Sequence, residues 1–375
     1  MITVREAKSR RELLEFIEFP NRLYAGVPQY VPSLVMDELS NLSPKKNPAF
    51  EYCDMRFFLA EKEGEVVGRI GGIISHKAND LWQEKKLRIT RMDFIEDYAV
   101  FEALIHTLED WAKSCGLTEL AGPIGFCDLD KEGMLVDGFD RDGMFITYYN
   151  HPYYPQFMER YGFEKEADWT EHIITLECPQ AERMERISNR ILERGGFRVL
   201  QLHRKSQLKP YIPQIFQLIN SEYKDLYGVV PLTPAQIKYY TSQFITLINL
   251  RYISLIVDRE GNLAAFGIIA PSLADAMKKC QGHLFPSGWY HLLKAIHKPR
   301  ILDMYLVAIK GEYRKTGLPA VLMTDIYHRA KADGILYAET GPELETNFNI
   351  QNMWDFFDTE MNIKRRRSWK KHIHD

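Results

Sequence analysis

The stretch 301–342 limits most strongly what this chain can fold into. Its four parts are an apolar strand, a basic loop that contains glycine, an amphipathic helix and a second strand: 301–309, 310–317, 318–333 and 335–339. The helix carries Leu322, Ile326 and Ala330 at four-residue spacing, which forms one apolar stripe. Gly334 stands where a helix-terminating glycine is expected. The pattern predicts a strand–loop–helix–strand unit.

The loop between the first strand and the helix suits a diphosphate group. The N–H groups of a helix's first turn lack intrahelical partners, and the helix dipole adds positive potential there. Gly317 would let the backbone approach a phosphate closely, and Arg314 and Lys315 supply charge. The alternative is an ordinary strand–turn–helix in a Rossmann-like domain, and the loop alone does not separate the two interpretations.

The same stretch resembles motif A of the GNAT superfamily of acyl-CoA N-acyltransferases, whose loop reads Gln/Arg-x-x-Gly-x-Gly/Ala. Residues 314–318 fit this pattern, whereas Pro319 occupies the final Gly/Ala position and removes one possible phosphate donor. The resemblance implies that acetyl-CoA or another acyl-CoA is the co-substrate. The residues that it predicts to bind this acyl-CoA are Val307, Ala308, Ile309, Arg314, Lys315, Thr316, Gly317, Leu318, Ala320 and Asn347.

A second resemblance extends over nearly the whole chain. The segment 122–163 is similar to that of a bacterial tandem-GNAT family of uncharacterised substrate. The matching residues, in order, are Gly122-Pro123, Met134 to Asp140, Tyr149-Asn150, Pro152-Tyr153-Tyr154 and Gly162-Phe163. Glu339, Glu345 and Asn347 keep the polar positions of another segment of that family, while 341–344 depart from it. This resemblance implies an α+β protein built on a mixed sheet, with two GNAT-like folds in tandem.

The order of predicted elements is repeated in the two halves, with a short A-K-x-x-G match at 112–116 and 330–334. Duplication explains this better than chance. The predicted organisation is a degenerate GNAT-like domain, a linker helix and a GNAT-like domain that carries the acyl-CoA loop: 1–178, 179–196 and 197–375. In the first half, Glu96 and Asp97 precede the corresponding helix, and acidic groups there compete with an anionic ligand. Only the second half is therefore expected to bind acyl-CoA.

The segment 148–154 crowds tyrosines, an asparagine and a histidine around Pro152. So many polar-tipped rings on a loop favour the wall of a substrate cleft. The residues predicted to bind substrate are Asp137, Tyr149, Asn150, Tyr153 and Tyr154. The alternatives are a loop that seals the interface between the two copies and, for the aspartate, an ordinary surface turn.

Acyl transfer to an amine requires a base for the amine, a polarised thioester carbonyl and a proton for the leaving thiolate. Glu339 or Glu345 is predicted to be the base or the amine anchor, although both are also typical of solvated acids near a strand end. The position of the usual GNAT tyrosine acid falls on Trp354. The acid is therefore Tyr305, or the thiolate leaves unassisted, or the protein no longer catalyses transfer.

Composition narrows the remaining classes of function. The chain has 375 residues and a formal net charge of −3, which gives no general argument for nucleic acid or an anionic membrane. No apolar run approaches the roughly 20 residues that span a bilayer. The amino terminus has no signal-peptide pattern. Five scattered cysteines favour reduced thiols in a cytoplasm, and the histidine spacing predicts no metal site. The basic tail, 364–372, is expected to be a last strand with solvated edge charges.

These observations predict an acyl-CoA-dependent N-acyltransferase that transfers an acyl group directly to the amine of a small molecule or peptide. An alternative from another class is a non-catalytic acyl-CoA-binding or scaffold protein that keeps the fold. A third is a transferase that draws on aminoacyl-tRNA, like the tandem-GNAT peptidoglycan-bridge enzymes, and the net charge counts against it.

Overall fold

The computed structural model describes residues 1–373, and of Asn349 it describes the backbone only. The strands are β1 (Ile2–Glu6), β2 (Cys53–Lys62), β3 (Glu65–Ser75), β4 (Lys86–Phe94), β5 (Glu119–Gly122), β6 (Met134–Asp137), β7 (Glu164–Thr175), β8 (Arg198–Val199), β9 (Ile253–Val257), β10 (Leu263–Pro271), β11 (Ile301–Ile309), β12 (Tyr337–Thr340), β13 (Glu343–Leu344) and β14 (Thr359–His372).

The α-helices surround these strands. They are α1 (Arg10–Leu23), α2 (Val35–Asn41), α3 (His76–Trp82), α4 (Tyr98–Ser114), α5 (Tyr153–Tyr161), α6 (Ala181–Gly195), α7 (Ile212–Glu222), α8 (Pro234–Leu247), α9 (Ala274–Cys280), α10 (Gly288–His297), α11 (Leu318–Ala332) and α12 (Phe348–Gln351).

Within residues 1–373 the strands form one mixed sheet of fourteen strands, which confirms the predicted α+β class. The main path through it runs β1-β2-β3-β4-β5-β14-β7-β12-β11-β10-β9-β8, with β6 beside β14 and β13 beside β7. Each half contributes one parallel pair, β4 with β5 and β11 with β12, and the other pairs are antiparallel. The two halves therefore repeat one arrangement along a single sheet.

The halves exchange strands at the middle of the sheet. Strand β7, from the first half of the chain, pairs with β12, and β14, from the end of the chain, pairs with β5. Strands β7 and β14 also pair with each other over most of their length. Because each half is completed by a strand from the other, the space between the halves is enclosed by both.

The position of β14 corrects one prediction about the basic tail. The tail is a strand, but it lies at the centre of the sheet, so the predicted edge position is wrong. Lys364 and Arg366 are buried rather than solvated, and both form ion pairs with the buried Glu171 of β7. A buried charge is tolerated when a partner compensates it, and these partners stand far away in the sequence.

Local signals account for several helix boundaries. Ser9 caps α1, with its hydroxyl accepting from the Glu12 N–H at 3.2 Å while the Glu12 carboxylate accepts from the Ser9 N–H at 2.8 Å. This reciprocal arrangement is a capping box. In the linker segment, α6 packs its apolar face, including Met184, Ile187 and Ile191, into the same core as α11. That contact brings α6 to the loop that precedes α11.

Among residues 1–373, none of the helices combines the length and the apolar character that crossing a bilayer requires.

Candidate functional site

Strands β11 and β12 separate part-way along their length. Their parallel pairing runs from Ile301 opposite Tyr337 to Met304 opposite Thr340 and then stops. The Gly341 N–H donates to the Met304 carbonyl at 2.9 Å, which ends the pairing. Beyond this point, β11 continues to its end with β10 as its only paired neighbour among the described residues. One edge of β11 therefore opens into a cleft.

A bulge lies where the two strands part. Leu306 faces Ile268 and Met304 faces Ile269, so Tyr305 has no opposite residue on β10. An extra residue of this kind bends the strand and redirects side chains. The bulge thus sits at the mouth of the cleft and turns Tyr305 towards it.

The main chain of Val307 faces the cleft. Its carbonyl accepts a hydrogen bond from the Tyr223 hydroxyl at 2.8 Å rather than from a neighbouring strand. The N–H and the C=O of one residue point to the same edge of a strand, since an opposed pair exchanges both groups. The Val307 N–H therefore also points into the cleft, where a donor can polarise a carbonyl oxygen.

A cavity of about 320 Å³ extends from this cleft, and residues of both halves line it. The part of its wall that α7 and α8 form is mostly apolar and includes Ile212, Ile215, Phe216, Ile219, Phe244 and Ile245. Other parts of the wall carry polar groups, among them Asp128, Glu132, Tyr223, Tyr305, Glu343 and Asn347. The cavity wall thus combines an apolar recess at α7 and α8 with a set of ionisable groups.

Glu343 is the carboxylate of the second half that lines the cavity. Strand β13 holds it opposite Thr170, and its carboxylate accepts a hydrogen bond from the Trp354 indole Nε1 at 3.1 Å. His172 Nε2 lies 3.7 Å from the same carboxylate. Burial raises the pKa of Glu343 to about 8, although the Trp354 hydrogen bond opposes this rise. A carboxyl group with such a pKa exchanges a proton near neutral pH.

The neighbouring histidine has a defined tautomer. The His172 Nδ1 accepts the Asn362 N–H at 2.9 Å, so in the neutral ring the proton is on Nε2, the atom that faces Glu343. Burial lowers the pKa of His172. The ring is therefore a neutral donor beside the carboxylate and not a second cation.

Five carboxylates of the first half line the cavity, and Glu38 and Asp130 among them are ion-paired with Arg91. The others are Asp37 and an interacting pair, Asp128 and Glu132. Neither member of this pair receives a hydrogen bond or an ion pair from the described residues. Burial raises the pKa of Asp128 to about 6 and that of Glu132 well above its ordinary value. Burial also raises the pKa of Tyr223, and the charges of Asp128 and Glu343 raise it further, which places both acids near that hydroxyl. This part of the cavity wall is suited to a cationic group.

Tyr305 presents a hydroxyl that is shielded from solvent and has no hydrogen-bond partner among the described residues. Burial raises its pKa well above the ordinary value, and the adjacent Asp303 carboxylate adds to the effect. An unpaired buried hydroxyl is unusual in a folded protein and calls for an explanation. Its place on the cavity wall supplies one, because a bound molecule can satisfy it.

The two glutamates predicted as base lie outside the cavity. Glu339 is ion-paired with Lys364 in the buried cluster at the centre of the sheet, and burial raises its pKa to about 7. Glu345 does not line the cavity and is ion-paired with Lys165 at 2.6 Å and Arg365 at 3.4 Å. Their catalytic role stays a prediction. Sequence reasoning missed Glu343, whose only signal was an acid immediately after Gly341-Pro342.

The loop before α11 offers several anion-binding groups. The N–H groups of Lys315, Gly317 and Leu318 have no acceptor among the described residues, and Gly317 adopts a left-handed conformation with φ of 89°. Such free N–H groups at a helix start fit a diphosphate. The side chains of Leu318 and Ala320 are buried in the core, whereas Thr316 donates to the Tyr313 carbonyl at 2.7 Å.

Other groups already occupy part of this loop. Glu222, at the end of α7, forms an ion pair with Arg314 and accepts the Gly311 N–H at 3.2 Å. The linker helix α6 covers Gly317, where a Cβ atom would lie 3.0 Å from the Ile187 side chain. Lys315 is the exposed cation that remains. A diphosphate here would therefore rest on main-chain N–H groups and Lys315, with Glu222 as a competing anion.

The equivalent cleft in the first half is filled by aromatic side chains. The Phe94 N–H of β4 donates to the Tyr154 hydroxyl at 2.7 Å, and the Tyr153 hydroxyl donates to the Phe94 carbonyl at 2.6 Å. The rings of Phe94 and Tyr154 stack with centroids 4.0 Å apart. At the position on β4 that corresponds to the open edge of β11, tyrosines of the first half therefore form hydrogen bonds with the main chain.

The residues predicted to bind substrate belong to this filled region or its surface. Asn150 ties its loop to β6 by bonding both the N–H and the carbonyl of Leu135, at 2.7 and 2.9 Å. Tyr149 packs edge-on against Tyr24, and Asp137 is exposed. None of these residues, nor Tyr153 or Tyr154, lines the cavity of the second half. Their substrate role remains a prediction.

Among residues 1–373, no cluster of three or more histidine, cysteine, aspartate or glutamate side chains has a geometry that could hold a metal ion.

Comparison with known proteins places this geometry in context. No family model matches the sequence. Protein YghO of Escherichia coli (strain K12) is 26% identical over 385 residues, covering 99% of this chain and 95% of that protein. Bacterial ceramide synthase of Caulobacter vibrioides is 27% identical over 296 residues, covering 78% of this chain and 76% of that protein.

A solved structure resembles the whole chain. It is a tandem GNAT protein from the clavulanic acid biosynthesis pathway, with a TM-score of 0.58 at 12% identity, covering 100% of this chain and 99% of that one. Both halves of the present sheet contain a parallel pair whose strands part beside a helix. The chain therefore has the GNAT fold, twice in tandem.

Proposed function

We propose that this chain is an acyl-CoA-dependent N-acyltransferase that acylates an amine carrying a long apolar chain. The observation that carries the proposal is the cavity, which joins the open edge of β11 to an apolar recess between α7 and α8. Neither an acetyl group nor a small polar amine is large and apolar enough to fill such a recess. Burial of apolar surface contributes roughly 25 cal/mol per Å², so a long chain would add substantially to binding.

One relative supports this class of substrate. The Caulobacter protein carries the name bacterial ceramide synthase. A ceramide is the amide of a fatty acid with a long-chain amino alcohol, so both the donor and the acceptor of its amide bond carry long apolar chains. An acceptor of that kind, with its amine among the polar groups and its chain in the recess, matches the distribution of side chains along the cavity wall.

The polar part of the cavity wall supplies the groups that acyl transfer needs. The Asp128 carboxylate attracts the acceptor as an ammonium ion, with the Glu132 carboxyl group beside it, and Glu343 takes the proton of the ammonium ion. The amine nitrogen then attacks the thioester carbon, the Val307 N–H stabilises the carbonyl oxygen, and the bond between carbon and sulfur breaks. The Tyr305 hydroxyl gives its proton to the departing thiolate and takes in exchange the second proton that the attacking nitrogen loses, so the tyrosine is restored. Glu343 releases its own proton to solvent after the reaction. The products are an N-acyl amide and free CoA.

The co-substrate is expected to lie along β11 with its diphosphate at the loop before α11. The N–H groups of Lys315, Gly317 and Leu318 support this placement, together with the charge of Lys315. Asn347 lines the cavity below and is the residue proposed to bond the pantetheine arm. Acyl-CoA stays the proposed donor, and acetyl-CoA is expected to be the weaker substrate, because the ceramide in the Caulobacter relative's name carries a long acyl chain.

Thiol release from acyl-CoA tests the proposal. Acetyl-CoA and palmitoyl-CoA are each supplied with sphinganine, with ethanolamine and with a short peptide that has a free amino terminus. We expect release with sphinganine and palmitoyl-CoA to exceed every other pair by about tenfold or more. Equal release with ethanolamine would reject the apolar acceptor. Thermal stabilisation by palmitoyl-CoA without release from any pair would instead identify a non-catalytic acyl-CoA-binding protein.

A further inference from the structure

The helical hairpin formed by α9 and α10 exposes a group of large apolar side chains. Phe285 is 74% exposed, Trp289 49%, Tyr290 55% and Leu293 46%. The opposite side of α10 is apolar too, since Leu292 and Ile296 are buried in the core beneath it. A helix with apolar residues on both faces is expected to be covered on both. Contiguous exposed apolar residues mark a contact surface.

The charge around this apolar group is strongly positive. The segment 272–300 contains five lysine or arginine residues and a single acid, Asp275, although the whole chain has a net charge of −3. The basic residues are Lys278, Lys279, Lys294, Lys298 and Arg300. Lys278 is paired with Asp142, whereas the other four are exposed and form no ion pair with the described residues. An apolar centre with a basic rim complements a surface that is both apolar and anionic.

We propose that this hairpin docks the protein on the surface of an anionic lipid bilayer. Tryptophan and tyrosine favour the level of the lipid headgroups, and lysines at the rim contact anionic headgroups. A short helix with this composition lies in the plane of the interface rather than across it. A protein partner would match the apolar residues equally well, but it would not by itself explain the concentration of exposed cations around them.

The hairpin also lies beside the cavity. Leu34, Phe145 and Leu247 belong to the core packed behind α9 and α10, and all three line the cavity wall. A docked hairpin would therefore bring the cavity close to the bilayer, from which an amine with a long apolar chain could enter. This last step rests on the proposed function, whereas the docking itself does not.

Flotation of the purified full-length protein with lipid vesicles tests the docking without reference to activity. The two vesicle types are phosphatidylcholine alone and an equal mixture of phosphatidylcholine with phosphatidylglycerol. We expect the protein to float with the mixed vesicles and to be released by high salt. One variant replaces Phe285, Trp289 and Leu293 together by serine, and we expect it to bind about tenfold or more weakly. A second variant combines Lys279→Glu, Lys294→Glu and Lys298→Glu, and we expect a loss of the same size.

A matched control uses another exposed apolar residue and another exposed lysine, in the first half of the chain. Leu81→Ser with Lys85→Glu is expected to leave flotation unchanged. All the replaced side chains are exposed, so each variant is expected to fold. Unaltered circular dichroism and melting temperature would establish this. Equal binding of the unsubstituted protein to neutral and anionic vesicles would overturn the proposal. Equal binding of the unsubstituted protein, the serine variant and the glutamate variant to anionic vesicles would overturn it too. The proposal would also be overturned if the protein self-associates in the absence of lipid and the serine variant does not, because the hairpin would then be an interface between copies of this chain.

Failure of docking and failure of the proposed function are distinguishable. A protein that floats with anionic vesicles but releases no thiol supports the docking and rejects the acyltransferase. A protein that acylates sphinganine in detergent but never floats supports the acyltransferase and rejects the docking.

Discussion

The indole Nε1 of Trp354 donates a hydrogen bond to the carboxylate of Glu343 at 3.1 Å on the wall of the cavity. By its spacing from Asn347, Trp354 stands where a tyrosine acid was expected. An indole cannot protonate a thiolate, but it can orient a carboxylate and stabilise its charge. Trp354 therefore acts on Glu343 in this proposal, and the proton for the thiolate comes from Tyr305.

Glu343→Gln is expected to lower kcat by about 100-fold or more, because the amide keeps the shape of the side chain but cannot accept the proton of the amine. The measurement is thiol release at saturating acyl-CoA. Glu345→Gln is the matched control, since Glu345 lies outside the cavity and pairs with Lys165, and we expect it to stay within about twofold of the unsubstituted protein. A large loss in Glu345→Gln with none in Glu343→Gln would identify Glu345 as the base.

The dependence of kcat/KM on pH is expected to follow the ionisation of Glu343. Its pKa is raised to about 8, so the active carboxylate form becomes populated as the pH increases towards 8, and the rate rises over that range. His172 is neutral there, and Asp128, with a pKa of about 6, is already ionised. Trp354→Phe removes a hydrogen bond that lowers the pKa of Glu343, so we expect the rise to move to higher pH.

A profile of kcat/KM in Trp354→Phe that moves to lower pH, or one that rises only near pH 5 in the unsubstituted protein, would assign the base to another group.

Two charge changes at the loop before α11 are expected to act in opposite directions on acyl-CoA binding. Lys315→Glu should weaken it by about tenfold, since it removes the exposed cation and adds an anion. Glu222→Gln should strengthen it by a few-fold, because it removes the carboxylate that competes for Arg314 and the Gly311 N–H. Calorimetric titration with CoA measures both.

Lys85→Glu provides the control for the change in net charge, since this exposed lysine lies in the first half, and no change is expected. Weaker binding in Glu222→Gln would show that Glu222 holds the loop in its binding shape. Unchanged binding in Lys315→Glu would exclude the diphosphate from this loop.

Ile212→Trp is expected to shorten the apolar recess and so to discriminate by chain length. The side chain lines the cavity from α7, and the larger ring would occupy part of it. We expect KM for the long-chain amine to rise by about tenfold while KM for a short-chain analogue changes little, because only the long chain reaches this depth. Ile237→Trp on α8, which does not line the cavity, is the control. An equal rise for both amines would indicate general misfolding.

Asp303→Asn is expected to make stability less sensitive to pH. Burial first, and then the nearby Glu339, raise the pKa of Asp303 from 3.8 to about 8. A group whose pKa is raised by folding stabilises the protein below its unfolded pKa, and this contribution is lost as the pH rises through 8. Relative to the unsubstituted protein, Asp303→Asn should gain about 4 kcal/mol between pH 5 and pH 9, because the folded pKa lies about three units above pH 5 and each unit corresponds to about 1.4 kcal/mol.

Denaturant unfolding at the two pH values measures this difference, with Asp80→Asn, an exposed aspartate of α3, as the control. The buried groups nearest Asp303 are Glu339, Glu171 and Lys364, which do not change in either variant. A constant difference between Asp303→Asn and the unsubstituted protein at both pH values would mean that Asp303 is ionised in the folded state.

Local sequence patterns were sufficient for the elements that a short window defines. Strand β11 has the predicted bounds, Ile301–Ile309, and α11 follows the predicted apolar stripe. Ser9 caps its helix because a cap involves residues three positions apart. The hairpin of α9 and α10 was missed, since apolar residues on both faces of α10 leave no single stripe to recognise.

Contacts between distant parts of the chain decided the rest. Lys364 and Arg366 are buried because β14 lies between β5 and β7 and meets Glu171 there, almost two hundred positions earlier in the sequence. Glu343 faces the cavity because it pairs with β7 of the other half, and its environment, not its residue type, raises its pKa. Periodicity reports which face of an element is apolar, but which element covers that face depends on long-range pairing, and so does the character of each buried charge.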